Sequence, residues 1–302
     1  EAAGPGLLAG ARWGIPTIPA YLKPQGYRCG FIGKLHMSGT PWDYGYDDAQ
    51  PMDGGACERN RTWQARPFGA YLREKGMDPA APLRVDQAER GVHYYRGGEW
   101  HAMSGRLLDH GPEHTGSAWF FDEARRLLEH YAIQGGPFLL QVHLAQEPHW
   151  PMLVPEPYAG MYRPEDIAER PNFRDPLRDH PRAHARVRDA WRTGNATWQQ
   201  WAESQAKYLG LMAMVEDQAA AFLGEIDRLQ FAANTIVAWT ADHGAANGAH
   251  GIFDKDHRLV EETCRIPLIV RWPAGDVGSG RQVAYAAQNL DLLPTYLEAA
   301  GV

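Results

Sequence analysis

The sequence of 302 residues has few cysteines and no long apolar run. Its three cysteines, Cys29, Cys57 and Cys264, are odd in number and widely scattered, so neither a disulfide framework nor a thiolate zinc site is indicated. No apolar stretch approaches the roughly 20 residues that a membrane-spanning helix needs, so we expect no membrane segment. A glycine-rich phosphate loop of the Walker type is also absent, which disfavours a phosphotransferase.

Basic runs are missing too, and the formal net charge is -7, which argues against nucleic acid as a partner. The composition, 44% hydrophobic and 22% charged, is that of a globular protein able to bury a substantial core. Thirteen histidines and eleven tryptophans suit a polar, aromatic-lined site. Nothing in the composition favours one cellular compartment or one oligomeric state.

Apolar periodicity predicts alternating helices and strands, the pattern of an α/β fold. Residues 40–110, rich in Gly, Pro, Asp and Arg, indicate long loops with short elements. Residues 160–195, rich in Arg, Asp, His and Pro, indicate a solvated surface excursion. The strands are predicted at 27–32, 138–144, 235–240 and 266–272. We expect the last two strands to be buried. The helices are predicted at 117–131 and 197–230. The apolar side of the second helix would comprise Leu209, Met212, Ala213, Ala220, Leu223, Ile226 and Leu229.

Asp242 and His243, followed by Gly244, stand where the predicted strand 235–240 ends. In open α/β sheets, ligands bind at the carboxyl ends of the strands. A carboxylate and an imidazole side by side there suit a divalent cation, although the same tripeptide also fits a capped turn. Lys255 follows in the same loop with His250 and His257, and this crowding of cationic groups suits an oxyanion.

Two further stretches present candidate residues at strand ends. Lys34 and His36 follow the strand 27–32 within Gly-Lys-Leu-His. His149 follows the strand 138–144 between two prolines, which restrict the loop that presents it. Each stretch by itself also fits a solvated lysine, a histidine bonded to backbone or an exposed loop residue.

Four segments in this order resemble the sulfatase family of the alkaline phosphatase superfamily. They carry a Gly-Lys-x-His segment, a strand followed by Pro-His-x-Pro, an Asp-His-Gly segment followed by His-Gly and Lys, and an Asp-Leu-x-Pro-Thr helix. In the sequence they are GYRCGFIGKLH at 26–36, PFLLQVHLAQEPHWPMLVPEPY at 137–158, the stretch 235–273, and LDLLPTYLEAAG at 290–301. The resemblance covers nearly the whole chain.

The resemblance implies an alkaline-phosphatase-like α/β/α sandwich around a mixed, mainly parallel central sheet. It implies metal-dependent hydrolysis of a small-molecule or saccharide sulfate ester, with one divalent metal, usually calcium, and a formylglycine nucleophile. By position, Asp242 and His243 would be metal ligands, and Lys34 and Lys255 would hold sulfate oxygens. His149 would protonate the leaving oxygen or bind sulfate, and His36 would lie beside the nucleophile.

The sequence also departs from the family pattern. The Asp-Asp metal-ligand pair of the first strand is absent, and no cysteine or serine is followed by x-Pro-x-Arg, the nucleophile signature. We therefore expect residues 1–302 to be a single sulfatase-type catalytic domain, incomplete at both ends, with its nucleophile outside this sequence. Such a fragment by itself should not turn over substrate.

Two alternatives remain open. A phosphonate monoester or phosphodiester hydrolase of the same superfamily would fit the Asp-His pair and the Gly-Lys-Leu-His segment, with Mn²⁺ or Zn²⁺ as its metal. A non-catalytic binding protein that kept the fold would lack the Asp-Asp pair and the nucleophile even at full length.

Overall fold

The computed structural model describes residues 16–52, 64–86, 93–96, 99–145, 147–255, 259–275, 277–278 and 280–302. Cys57 and His257 lie outside these residues. The helices described are α1 (Ile18–Leu22), α2 (Phe68–Glu74), α3 (Gly116–Gln134), α4 (Arg182–Trp191), α5 (Trp198–Arg228), α6 (Glu261–Cys264) and α7 (Leu292–Ala299). The strands are β1 (Arg28–Gly33), β2 (Asp48–Pro51), β3 (Val85–Asp86), β4 (His93–Arg96), β5 (Glu99–Ala102), β6 (Ser104–Leu107), β7 (Phe138–His143), β8 (Met152–Pro155), β9 (Val237–Thr240) and β10 (Leu268–Arg271).

The central element is a parallel sheet in the order β2-β1-β7. In its register Gly33, the last residue of β1, pairs with His143 of β7 and with Pro51 of β2, so all three strands end at one edge. Strands β9 and β10 form an antiparallel pair, and β3-β6-β8 and β4-β5 form smaller sheets. The predicted α/β class with a mainly parallel central sheet is confirmed.

Helices cover both faces of this sheet because successive residues of β1 point to opposite sides. Phe31 packs in a buried cluster with Leu22 of α1, against which Leu297 of α7 also lies. Ile32 packs on the other face with Leu127 of α3. The result is the expected order of layers, helices on each side of a buried sheet.

Strand β2 lies within the stretch 40–110, for which the sequence predicts long loops with short elements and no particular strand. Its buried side chains Asp48 and Gln50 are polar, so β2 lacks an apolar signal. Asp48 accepts hydrogen bonds from Arg28 at 2.6 and 3.0 Å and from the hydroxyl of Tyr131 at 3.1 Å. This pairing compensates the loss of hydration of a buried carboxylate, which would otherwise destabilise the strand.

Helix α5 begins after Thr197, whose hydroxyl accepts a hydrogen bond from the backbone N–H of Gln200 at 3.3 Å. Its extent is as predicted within a few residues, but of the residues predicted on its apolar side only Ile226 is fully buried, Ala220 is exposed and the others are half-buried. The buried residues are Trp201, Ala202, Ser204, Ala206, Gly210, Leu211, Met214, Val215, Ala219 and Ile226. Apolar residues surround much of the helix, so contacts with α3 and with β6 and β8 select the buried side.

No helix in the described part of the chain is long and apolar enough to span a bilayer.

Strands β9 and β10 form where the sequence predicts them, but the expectation that both are buried is wrong. In β10, Leu268, Ile269 and Val270 have 38%, 64% and 42% of their surface exposed. Apolar content by itself predicts a strand, whereas burial depends on what packs against it.

The stretch 160–195, expected to be a solvated excursion, contains α4 and packs against the loop that follows β9. Leu177 is buried in a cluster with Ala246, Ala249 and Ile252. The expectation is therefore wrong for this part of the stretch, which supports the loop between Asp242 and Lys255.

Gly33 offers a test of how closely the strand ends must approach. It has φ +103°, and an added Cβ would lie 1.9 Å from the carbonyl oxygen of His143. Gly26, at φ +84°, has nothing within 4 Å of the same position. We expect Gly33→Ala and Gly26→Ala each to lose about 1–2 kcal/mol of stability through left-handed backbone strain. Gly33→Ala should lose a further ~1–3 kcal/mol through overlap, as measured by urea unfolding. Equal losses in the two variants would contradict this account.

Candidate active site

The candidate site is built on the shared edge where β1 and β7 end. The backbone N–H of Lys34 donates a hydrogen bond of 2.9 Å to the carbonyl of His143. Because glycine stands at position 33, the two backbones can approach this closely. The sequence thus places Lys34 and His143 side by side at the carboxyl edge of a parallel sheet, where ligands bind in such folds.

Lys34, His149 and Lys255 come together above this edge. Burial lowers the pKa of His149, and the charges of Lys255 and Lys34 lower it further, while the Trp150 carbonyl and Asp254 oppose the shift. Lys255 lies 3.7 Å from the Asp254 carboxylate, whereas the Lys34 ammonium forms no ion pair within the described residues. Three predicted residues from three separate segments thus form one cationic cluster.

The ring of His149 is held in a defined orientation. Its Nδ1 lies 2.7 Å from the carbonyl oxygen of Trp150, so Nδ1–H donates there and Nε2 is left to face a ligand. The Trp150 indole packs against the rings of Trp191 and Phe253, at 5.2 and 6.0 Å between centroids. Helix α4 and the 249–255 loop therefore support the histidine from behind.

Asp242 and His243 present adjacent ligand atoms. Asp242 Oδ2 lies 3.3 Å from His243 Nε2, and the side chains are 72% and 35% exposed. His243 Nδ1 lies 2.9 Å from the carbonyl oxygen of Gly244, so Nδ1–H donates and Nε2 keeps its lone pair. Two ligand atoms that bind one ion at about 2.0–2.4 Å lie about 3 Å from each other. The Asp242 and His243 atoms therefore fit two adjacent coordination positions of a divalent cation.

Gly244 is needed for a close backbone approach rather than for a sharp turn. Its N–H donates to the carbonyl of Thr263 at 2.9 Å, and an added Cβ would lie 2.0 Å from the carbonyl oxygen of Glu262. The segment before β10 therefore fixes the position of the Asp242–His243 pair.

His143 is a site residue that sequence reasoning missed. Its imidazole packs on Phe31 at 4.8 Å between ring centroids and lies close enough to Asp242 to interact with its charge. The ring keeps a face to solvent, yet the surrounding protein lowers its pKa, and Asp242 opposes that shift. His143 ends a strand beside the one that leads into Lys34, so the strand-end rule would have identified it.

The other predicted residues lie outside the cluster formed by Lys34, His149 and Lys255. His36 is exposed two residues beyond Lys34, and no contact among the described residues joins it to the cluster. Cys29 is buried in the sheet, and burial raises the pKa of its thiol to about 12, which leaves it protonated and unreactive near neutral pH. His250 belongs to a different cluster, described below.

The profile of the Sulfatase family matches residues 10–302 of this chain. The chain is also 35% identical over 319 residues to an N-acetylglucosamine-6-O-sulfatase of Bacteroides thetaiotaomicron, a match that covers 95% of this chain and 54% of that protein. The chain therefore belongs to the sulfatase family, which is a family of hydrolases. Membership implies a divalent metal ion. The chain spans about half the length of the curated relatives it matches.

Solved structures agree on the fold. The phosphonate monoester hydrolase of Agrobacterium radiobacter is similar with a TM-score of 0.72 and 20% identity, covering 94% of this chain and 57% of that one. A structure described as a complex with its substrate D-glucosamine-2-N,6-O-disulfate is similar with a TM-score of 0.64 and 19% identity, covering 99% and 64%. Likeness at these identities establishes an alkaline-phosphatase-like fold and nothing about substrate.

The cationic cluster predicts how His149 titrates. Lys255→Gln removes a positive charge that disfavours the imidazolium, so the pKa of His149 should rise. Lys75→Gln, at an exposed lysine at the end of α2, is the matched control and should leave that pKa unchanged. Histidine-labelled NMR titration of both variants measures the difference. If the pKa of His149 is unchanged or lower in Lys255→Gln, the charge of Lys255 does not act on His149, and the two residues do not belong to one cluster.

Proposed function

We propose that the full-length protein hydrolyses a sulfate ester at this edge of the sheet. The observation that carries the proposal is the convergence of Lys34, His149 and Lys255 beside the Asp242–His243 pair, in a chain of the sulfatase family. In this proposal residues 1–302 are part of one catalytic domain.

The two lysines would bind the sulfate group. An ammonium is a compact point charge that suits a tetrahedral oxyanion without demanding one planar geometry. Lys34 forms no ion pair within the described residues, and the charges of both lysines reach His149, the histidine at the centre of the cluster. Their positive charge is therefore available to an anion.

His149 would give a proton to the leaving oxygen. Without an anion, burial and the charges of the two lysines hold the pKa of His149 below its ordinary value. A bound sulfate ester offsets their charge and so favours the imidazolium at the moment when a proton is needed. The Nδ1–H bond to Trp150 leaves Nε2 as the atom that faces the ester.

Asp242 and His243 would hold the divalent metal, for which calcium is the expected ion. Its charge would neutralise a sulfate oxygen and stabilise an ionised nucleophile. His143, beside Asp242, would orient that carboxylate.

The nucleophile would be a formylglycine from a part of the protein outside these 302 residues. The sequence has no cysteine or serine followed by x-Pro-x-Arg, and the thiol of Cys29 is buried. His36, exposed beside Lys34, would lie next to that nucleophile and assist release of sulfate.

A sulfated saccharide is the substrate class we propose. The support is the similarity to an N-acetylglucosamine-6-O-sulfatase at 35% identity.

Phosphonate monoester or phosphodiester hydrolysis is the second candidate. The observation that favours it is the imidazole of His243, whose Nδ1–H bond to Gly244 leaves a lone pair on Nε2, because imidazole suits Zn²⁺ better than it suits calcium.

Activity of the full-length protein separates the candidates. After chelation and reconstitution, we expect kcat/KM to be higher for 4-nitrophenyl sulfate with Ca²⁺ than for bis(4-nitrophenyl) phosphate with any metal. Asp242→Asn should lower it by about 10²-fold or more, because a charged ligand is lost. The reverse substrate order with Mn²⁺ or Zn²⁺ would establish the second candidate. Inactivity with both substrates and every metal would indicate a binding protein.

The role of His149 predicts a dependence on the leaving group. His149→Asn should lower kcat by about 10²–10⁴-fold for a sugar sulfate, whose alkoxide needs a proton. The loss for 4-nitrophenyl sulfate should be much smaller, because nitrophenolate leaves unprotonated. Steady-state kinetics on both substrates measures the ratio. Equal losses would show that His149 binds sulfate and transfers no proton.

A further inference from the structure

A second group of ligand atoms lies away from the residues proposed for catalysis. Asp175, His180 and His250 each offer one ligand atom, and these atoms all lie within 4.8 Å of one another. Asp175 Oδ2 is 2.7 Å from His250 Nδ1 and 2.9 Å from His180 Nε2. Two imidazole nitrogens thus converge on a single carboxylate oxygen.

The carboxylate is held so that this oxygen faces both rings. The other oxygen, Oδ1 of Asp175, accepts a hydrogen bond of 2.8 Å from the backbone N–H of Leu177. Leu177 is itself buried, with φ +58°, which fixes the turn between Asp175 and His180. The aspartate cannot rotate away without breaking that turn.

His250 is held from the opposite side. It has φ +55° within a tight turn, and its backbone N–H donates to the carbonyl of Asn172 at 3.1 Å. Its side chain is only 12% exposed, against 21% for Asp175 and 29% for His180. The cluster is therefore preformed and partly buried, yet open on one side.

The surroundings of His250 Nε2 are those of a ligand histidine. This nitrogen lies 3.7 Å from Glu262 Oε2, a buried oxygen that accepts no hydrogen bond within the described residues. Asn172 Nδ2 lies 3.1 Å from the same nitrogen and donates to Glu262 Oε1 at 2.7 Å. A metal at Nδ1 would move the ring proton to Nε2, where a small turn of Asn172 lets Glu262 accept it. A carboxylate behind a metal-bound imidazole is a common supporting arrangement.

The donor set selects the kind of ion. Two nitrogens and one carboxylate oxygen are a poor site for Ca²⁺ or Mg²⁺, which bind through oxygen. Zn²⁺ takes three such ligands plus water at about 2.0–2.2 Å, which separates the ligand atoms by about 3.3 Å. The present spacings of 2.7 and 2.9 Å need to open by only about half an ångström.

Space for the fourth ligand exists beside the cluster. A cavity of about 420 Å³ is lined in part by Asp175 and by Gly251, the residue after His250. Thr193 and Trp198 also line this cavity, which borders the Asp175 side of the cluster and offers room for a water ligand.

We infer that Asp175, His180 and His250 form a Zn²⁺ site distinct from the Asp242–His243 pair. The ion would bind the 172–180 segment to the turn at 249–251, and so brace the loop that carries Lys255. The inference does not depend on sulfatase activity, because it rests on three other side chains.

The test compares zinc binding by three forms of the metal-stripped full-length protein. His180→Gln keeps a donor to Asp175 but removes an imidazole, and Asp242→Asn alters only the proposed catalytic metal pair. In equilibrium dialysis against Zn²⁺, the wild type and Asp242→Asn should each show a zinc site of the same affinity. In His180→Gln the affinity of that site should be lower by at least about tenfold. The zinc-dependent rise in melting temperature should fall in the same variant.

Circular dichroism without metal verifies that His180→Gln is folded, and Asp175→Asn serves as a second variant if it is not. Loss of that zinc site in either folded variant, with retention in Asp242→Asn, supports the inference. Equal zinc affinity in wild type, His180→Gln and Asp175→Asn would overturn it. A wild type whose zinc binding is abolished by Asp242→Asn would overturn it as well, because all the zinc would then belong to the catalytic pair.

Discussion

The close approach of two backbones at Gly33 and His143 is the constraint on which the site depends. The Lys34 N–H bonds to the His143 carbonyl at 2.9 Å, and no Cβ fits between them. This contact sets the level at which β1 and β7 end. Lys34 is thereby placed near His149, and His143 near Asp242, so that one edge of the sheet carries both the cationic cluster and the Asp242–His243 pair.

Positive charge surrounds His149 at this edge, as the proposed binding of a sulfate ester requires. Two lysines and a histidine share the cluster, with Asp254 as a partial counterion at 3.7 Å from Lys255. Keeping like charges close costs stability, and in the proposed function a sulfate ester would offset that cost when it binds. The aromatic packing behind His149 keeps its ring from turning away from the lysines.

Much of the fold follows from local patterns. Helical spacing located α3 and α5, and short apolar runs located β1, β7, β9 and β10 within a few residues. Strand β2 cannot be predicted from an apolar pattern, because its buried side chains Asp48 and Gln50 are polar. Asp48 is stabilised by Arg28, which lies 20 residues earlier in the chain. The pattern does not fix which face of α5 is most deeply buried, because apolar residues surround the helix and its contacts with α3, β6 and β8 decide the matter.

The sequence by itself determined which residue types stand at the strand ends, and therefore the family and the candidates Lys34, His149, Asp242, His243 and Lys255. Turn chemistry and strand termini are short-range properties, so they can be read along the chain. Only the tertiary structure joined His143 to Asp242 and brought Asp175 to His250, 75 residues away. Such pairings depend on how separate segments pack together, and no local pattern encodes that packing.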